Sequence, residues 1–375
     1  MPESMRKKTE LSPFAKQLAD RILQAGPVTV ADYMETVVSH YYATQNPFGQ
    51  EGDFITAPEI SQLFGEMIGV WLTDIWLQSG RPDSVQLIEL GPGRGTLSAD
   101  IMRVISNWPE LASAVTLHMV ETSPNLRDIQ ARTLKSFRPT WYDRIEEIPS
   151  GFSFIVANEF FDALPVHQFE KIAGQWMERH VKFSESKQEF EFTHLPPSFD
   201  LSGIMPEKFI QAKEGSVFEV SPASLSVIQT MTKRLNKSGG AALIIDYGHD
   251  QTGLGDTLQA IKNHRSVPVF DQPGEADLTA HVDFVTLRAA GCEDARVFGP
   301  ATQGDFLTRL GVFQRAQILS EQADDRQKKQ IQSGVSRLTA PAEMGTLFKV
   351  MAILPQGSSV IPEGFGEDHH IDAED

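Results

Sequence analysis

From Val85 onward, short and continuously apolar runs alternate with helical patterns, and no other feature of the sequence constrains the fold as much. Residues 85–90, 115–120, 152–157 and 241–245 each carry apolar side chains on consecutive positions. A strand that is apolar on both alternating positions is buried on both faces, which occurs in a parallel sheet covered by helices above and below. Between these runs the periodicity shifts to helical: Leu97, Ile101, Val104 and Ile105 after the first, and Leu126 and Ile129 after the second, opened by Ser123-Pro124. The pattern predicts an α/β fold, a mostly parallel twisted sheet with helices on both faces.

Around this core the sequence predicts additions. Residues 12–45 have helical spacing (Phe14, Leu18, Ile22, Tyr33, Val37, Tyr41), followed by a Gly/Pro-rich loop over 46–54. The next helix is the strongest in the chain, with Ile60, Leu63, Phe64, Met67, Ile68, Trp71, Leu72, Ile75 and Trp76 in one stripe. Thr56 and Glu59 before it have capping-box spacing, and Pro58 suits a first turn. Glu66 and Asp74 interrupt the stripe, so a buried scaffold helix is expected and not a membrane span. Alternation between about 170 and 212 predicts a small antiparallel insertion. Residues 305–337 have a helical pattern, 348–354 a closing strand, and the Gly- and acid-rich tail after Pro355 is expected to fray. The resulting division is 1–80 helical, 81–169 first part of the core, 170–235 insertion, 236–300 second part of the core, 301–345 appended helices, 346–358 closing strand and 359–375 disordered acidic tail.

Charge narrows the function classes. Lys and Arg number 33 against 50 Asp and Glu, a net charge of −17, which repels nucleic-acid phosphates. The basic runs, such as Arg6-Lys7-Lys8 and Lys328-Lys329, are short, and a basic protein or peptide partner stays open. Cys292 is the sole cysteine; it excludes an internal disulfide framework and a Cys-based zinc cluster, and its place after Gly291 suits a structural thiol. No metal site is expected, and His369-His370 is taken as inert tail. There is no 18-residue apolar run and no secretory leader pattern, so a cytoplasmic, bacterial setting is expected, with the mitochondrial matrix as the alternative. The oligomeric state is left open.

The sharpest local signal is Glu89-Leu-Gly91-Pro-Gly93-Arg-Gly95-Thr96, directly between a buried strand and a helix. Three glycines allow a tight turn and bring backbone N–H groups close to a ligand. The spacing differs from the Gly-x-Gly-x-x-Gly of dinucleotide sites, and no Lys-Ser/Thr pair makes a P-loop. A nucleoside with an amino-acid tail, S-adenosyl-L-methionine, is the better guest. Glu121 ends the second strand, where a carboxylate accepts hydrogen bonds from both ribose hydroxyls. The next strand runs into Asn158-Glu159-Phe-Phe-Asp162, and the one after into Asp246-Tyr247-Gly248. Ligands sit beyond the carboxyl ends of such strands. Asp162 as a turn cap and Asp246 as a loop anchor are equally open, whereas Glu159, between Ala157 and Phe160, is hard to leave as a solvated charge.

Taken together, Glu89–Thr96, Asn158–Pro165, Gly52-Asp-Phe-Ile-Thr-Ala-Pro-Glu59 and Ala280-His-Val-Asp-Phe284 resemble the MidA family over roughly residues 12–355. The family pattern usually has Ser where this chain has Ala57. The resemblance implies a Rossmann-like class I S-adenosyl-L-methionine-dependent methyltransferase with an inserted subdomain and added helices. It also implies arginine methylation of a protein substrate, symmetric dimethylation of a complex I subunit in the mitochondrial branch. Carried over residue by residue, it puts Gly91, Gly93, Gly95 and Glu121 on the cofactor, with Glu89 and Thr56 beside them. Asn158, Glu159 and Asp162 fall on the catalytic side.

For an arginine acceptor, Glu159 is the expected guanidinium anchor, with Asp162 or Asp246 assisting, Asn158 positioning, and Phe160, Phe161 and Tyr247 around a cationic sulfonium. His281 is a further candidate through a polar pair with Asp283, although a satisfied core histidine is the commoner arrangement. The segment 52–59 is a candidate lid or simply a helix start. Transfer to a small molecule, and an assembly factor without catalysis, are the competing functions.

Overall fold

A computed structural model describes residues 10–44 and 56–366. The chain divides into two compact units, each built from three stretches: Asn46–Leu164, Pro222–Thr252 and His281–Asp375 in the larger, and Met1–Gln45, Pro165–Ser221 and Gly253–Ala280 in the smaller.

The larger unit is organised by one sheet. Its strands are β1 (Val85–Leu90), β2 (Val115–Val120), β3 (Thr140–Tyr142), β4 (Ser153–Asn158), β5 (Gly240–His249), β6 (Ala295–Thr302) and β7 (Phe348–Pro355). They lie in the order β3-β2-β1-β4-β5-β7-β6. Pairs from β3 to β5 are parallel, while β7 runs antiparallel to both β5 and β6. The expected mostly parallel α/β sheet is therefore present. Burial alternates across it: Phe154 and Val156 face one apolar cluster, and Ile155 and Ala157 the other. The order of connection reverses at β1 and β4, so their carboxyl ends diverge and leave a crevice for a ligand.

Helices α1 (Gln62–Gln78) and α2 (Thr96–Ile105) cover the first face. They approach unusually closely because Gly65 and Gly69 lie one turn apart. A Cβ at Gly65 would come 2.5 Å from Asp100 Cβ, and one at Gly69 2.9 Å from Val104 Cβ. The opposite cluster includes residues of α4 (Pro222–Ser238) and α5 (Phe284–Cys292), while α3 (Pro124–Thr133) follows β2. Buried Glu66 on α1 accepts from Arg315 Nε at 2.8 Å, which neutralises the charge that interrupts the apolar stripe.

The start of α1 departs from expectation. A short turn, Ala57–Ile60, is followed by a break at Ser61, whose hydroxyl accepts from Leu63 N at 3.3 Å and caps α1. Thr56 makes no side-chain cap, and Glu59 accepts from Thr96 Oγ1 at 2.6 Å. The capping box is lost because Glu59 finds a stronger partner at the first turn of α2. The helical pattern over 305–337 is realised as α6 (Gln303–Arg309), α7 (Val312–Glu321) and α8 (Asp325–Thr339). Gly311 with φ 89° and the Asp324/Gln327 capping box separate the three.

The tail expected to fray from 359 is ordered through residue 366. Val360 is buried, Trp71 Nε1 donates to the Glu363 carbonyl at 3.0 Å, and the Gln78 side chain bonds the Ile361 backbone in both directions. Apolar burial of Val360 and Phe365 against the α1 side of the core outweighs the tail's Gly-rich composition.

In the smaller unit, the expected 12–45 helix is two, Pro13–Ala25 and Val30–Thr44, parted at Gly26, whose φ of 95° suits glycine. Strands Gln175–Ser184, His167–Ile172 and Val217–Val220 pair antiparallel, joined by Val28–Thr29 and Glu189–Leu195. A second antiparallel sheet joins Gln259–Lys262 to Arg265–Val267 and Asp277–Thr279. The 170–235 insertion is thereby split, since its helix α4 lies in the larger unit. No helix among the described residues is long and apolar enough to cross a membrane.

Candidate active site

The glycine loop leaves β1 at the sheet crevice. Gly91, Gly93 and Gly95 have φ of 61°, 51° and 79°, a left-handed backbone in which a Cβ is disfavoured. Space is tight as well: a Cβ at Gly91 would lie 3.0 Å from Phe160 Cδ2, and one at Gly95 3.0 Å from Leu134 Cδ1. The Gly91 N–H donates to the Val120 carbonyl at 3.1 Å, which ties the loop to the end of β2. Beside it opens a narrow cleft of about 40 Å³. Of the residues singled out from the sequence, Thr56, Glu89, Gly91, Gly93, Asn158 and Glu159 line it; Gly95, Glu121, Asp162 and His281 lie off its lining.

Glu89 is buried and accepts from Ser98 Oγ; burial pushes its carboxyl up to about 8. Glu121 is also buried, yet it is surrounded by donors. Ser123 N donates to its Oε1 at 2.8 Å and Gln130 Nε2 to its Oε2 at 3.2 Å. Burial raises the Glu121 carboxyl and these hydrogen bonds oppose the rise. With Ser123, Gln130 and the Thr122 N–H as donors, its two oxygens have four lone-pair directions and keep one for a ligand hydroxyl. Gln130 was not singled out from the sequence. Its only signal is its place four residues after Leu126, on the core face of α3.

At the end of β4, Glu159 holds φ 50°, an unusual backbone for a residue with a Cβ and one that concentrates at functional sites. Its Oε1 accepts from Asn158 Nδ2 at 3.2 Å and from the Ala57 N–H at 3.2 Å. The backbone of residue 57 makes the contact, so the Ser-to-Ala departure leaves it intact. Burial, then the charge of Asp162, pushes the Glu159 carboxyl up to about 7. Burial pushes Asp162 up to about 6, opposed by a hydrogen bond from Tyr247. Asn158 Oδ1 and Asp162 Oδ1 are buried acceptors without a hydrogen-bond partner. Such atoms cost free energy unless a ligand donor reaches them.

Asp246, on β5 one residue past its pairing with β4, has a different role from the substrate ligand considered above. Its Oδ2 accepts from the N–H groups of Phe160 (3.1 Å), Phe161 (2.8 Å) and Asp162 (3.2 Å), and its Oδ1 from Tyr247 N (2.9 Å). Four backbone donors occupy this fully buried carboxylate and shape the turn that carries Glu159 and Asp162. Burial and the charges of Asp162 and Glu159 push it upward all the same.

The expected His281–Asp283 pair is replaced. Asp283 caps α5 through Val285 N and Thr286 N, and its histidine neighbour is His249 at 3.9 Å. His281 packs edge-on against Tyr247, ring centres 5.5 Å apart, and burial followed by the charge of His249 pushes its pKa down. Much of the 52–59 segment, and the His369-His370 pair, lie outside the described residues. Among the described residues no cluster of three His, Cys, Asp or Glu is placed to hold a metal.

A sheet in this order, with a glycine cradle after β1, an acid after β2 and a polar turn after β4, is the arrangement of a class I methyltransferase. The model of the Methyltransf_28 family of S-adenosyl-L-methionine-dependent methyltransferases matches residues 67–301, and the chain belongs to that family. Relatives include the Rattus norvegicus protein arginine methyltransferase NDUFAF7, mitochondrial, at 39% identity over 92% of this chain and 85% of that one. The Homo sapiens protein of the same name is 36% identical over 92% and 84%. A Burkholderia thailandensis crystal structure bound to S-adenosyl-homocysteine is similar with TM-score 0.80 and 28% identity, covering 94% of each chain. The residues present suit that cofactor: a loop whose three glycines hold left-handed φ, a buried acid with a lone pair to spare, and an orphaned acceptor at Asn158.

Proposed function

We propose that this chain methylates an arginine of a protein partner, with a respiratory complex I subunit as the partner that the family resemblance implies. The observation that carries the reading is the pair Glu159 and Asp162 on one strained turn beside the glycine loop. The names of the relatives support it.

S-adenosyl-L-methionine, when bound, supplies an electrophilic methyl group on a sulfonium. The glycine loop and Glu121 would hold its adenosyl part, and Thr56, Glu89 and Asn158 line the space beside them. A guanidinium has a pKa above about 12 and presents its N–H groups in a planar fork. Glu159 accepts that fork and stabilises its positive charge. Asn158 Oδ1 and Asp162 Oδ1, both lacking donors, take further N–H groups and aim the reacting nitrogen. As the nitrogen loses its proton, Glu159 is the acceptor within the site, its carboxyl lifted towards neutral pH by burial. The compartment we assign is aqueous and reducing; the relatives are named mitochondrial, which fits the matrix alternative.

Incubation with radiolabelled S-adenosyl-L-methionine and host lysate, followed by mass spectrometry, tests this. Label on protein arginine is the expected result. Label confined to small metabolites, or to another side chain, would overturn the arginine reading.

A further inference from the structure

Gln130 is fully buried on α3 and makes three side-chain hydrogen bonds, none of which the transfer chemistry uses. Its Nε2 donates to the Gly93 carbonyl at 2.7 Å and to Glu121 Oε2 at 3.2 Å, while its Oε1 accepts from Trp141 Nε1 at 2.8 Å. An indole N–H can only donate, so Trp141 admits one orientation of the amide. With Oε1 committed to β3, the NH₂ must face the glycine loop and the acid after β2. The loop rests on this side chain: a Cβ at Gly95 would lie 3.6 Å from Gln130 Cγ. One amide thus fixes the spacing between two parts of the cradle that leave different strands, and it turns the carboxylate plane of Glu121.

We propose that Gln130, oriented by Trp141, is a positioning residue that sets Glu121 and Gly93 in register for the ribose of the adenosyl ligand. The inference rests on Glu121 as the ribose acceptor. Alternative orientations of Glu121 are removed before the ligand arrives, so binding loses less freedom.

Calorimetry with S-adenosyl-homocysteine and its 2′,3′-dideoxyribose analogue tests it on Glu121→Ala, Gln130→Met, Trp141→Phe and the Gln130→Met/Trp141→Phe double variant. Gln130→Met keeps volume and removes both donors; it should weaken S-adenosyl-homocysteine about tenfold, the scale of a hydrogen bond to a charged group. The dideoxy analogue should change by less than about twofold, because it never engages Glu121. Trp141→Phe should weaken S-adenosyl-homocysteine about threefold, and the double variant should match Gln130→Met alone, since Trp141 acts through the amide. If Glu121→Ala leaves S-adenosyl-homocysteine affinity unchanged, the ribose reading itself falls. If Glu121→Ala weakens it but Gln130→Met and Trp141→Phe do not, or if they weaken both ligands equally, Gln130 only fills space and the inference is overturned. Trp141→Phe retains the Gln130 side chain and frees only the orientation of its amide, so the test stands even if Gln130→Met does not fold.

Discussion

Glu121 and Asp246 occupy equivalent places, each a buried acid just beyond or at the end of a parallel strand, yet their surroundings give them opposite roles. Asp246 is saturated by four backbone N–H groups from residues 160–162 and 247. Glu121 receives the Gln130 amide and the backbone N–H groups of Thr122 and Ser123, one donor fewer, and keeps a lone pair over. A carboxylate spent wholly on backbone amides builds a turn; one with a lone pair to spare can take a ligand. The lesson is that counting donors separates scaffold acids from binding acids where burial and position do not.

That contrast breaks most visibly at Asp246. Asp246→Ala strands four amides and should lower stability by about 3–5 kcal/mol, read as a fall in thermal midpoint with or without S-adenosyl-homocysteine. An unchanged midpoint would mean the turn holds itself. Glu159→Gln comes next: methyl transfer should fall about a hundredfold while calorimetric affinity for S-adenosyl-homocysteine stays within about twofold, as for an interaction made in the transition state. Glu121→Ala strands fewer donors and should lower the ligand-free midpoint less than Asp246→Ala does, while removing most of the stabilisation that S-adenosyl-homocysteine provides, about 1.5–3 kcal/mol at saturating ligand.

Titration sharpens the same comparison. Glu159 and Asp162 have folded pKa values of about 7 and about 6, above their ordinary carboxyl values, so the folded state binds more protons than the unfolded one between those limits. Stability contributed by these groups is present at low pH and is lost as pH rises through about 7. Melting from pH 5 to 8 should show a falling midpoint, and Glu159→Gln should flatten the slope; an unaltered slope would remove Glu159 as its source. The smallest effect is expected at Thr56, which makes no side-chain cap: Thr56→Ala should change the thermal midpoint by less than the equivalent of about 0.5 kcal/mol.

Continuous apolar runs made β1, β2, β4, β5 and β7 legible, because burial on both faces leaves a mark at every residue. Strands β3 and β6 left none: Thr140–Tyr142 is a short edge, and Ala295–Thr302 carries Gly299-Pro300 in mid-run. The smaller unit was legible in part: alternation over about 170–212 marked its antiparallel strands and periodicity its helices. Its sheets also join residues far apart in the chain, such as Val28 with Val181, and no local pattern encodes such pairing. In the site, the glycine spacing and Glu159 could be found by inspection. The commitment of Asp246 to backbone could not, since an acid after an apolar run looks the same with four donors or none. Gln130 escaped because a single polar residue on a helix carries no period.

The antiparallel β7 has a consequence for how the molecule is made. It fills the slot between β5 and β6, and it leaves the ribosome after both of them. A nascent chain that has emerged only as far as residue 340 holds two unsatisfied strand edges facing each other across an empty groove, the kind of exposed template that invites mispairing. Synthesis must therefore pass residue 355 before this sheet can seal.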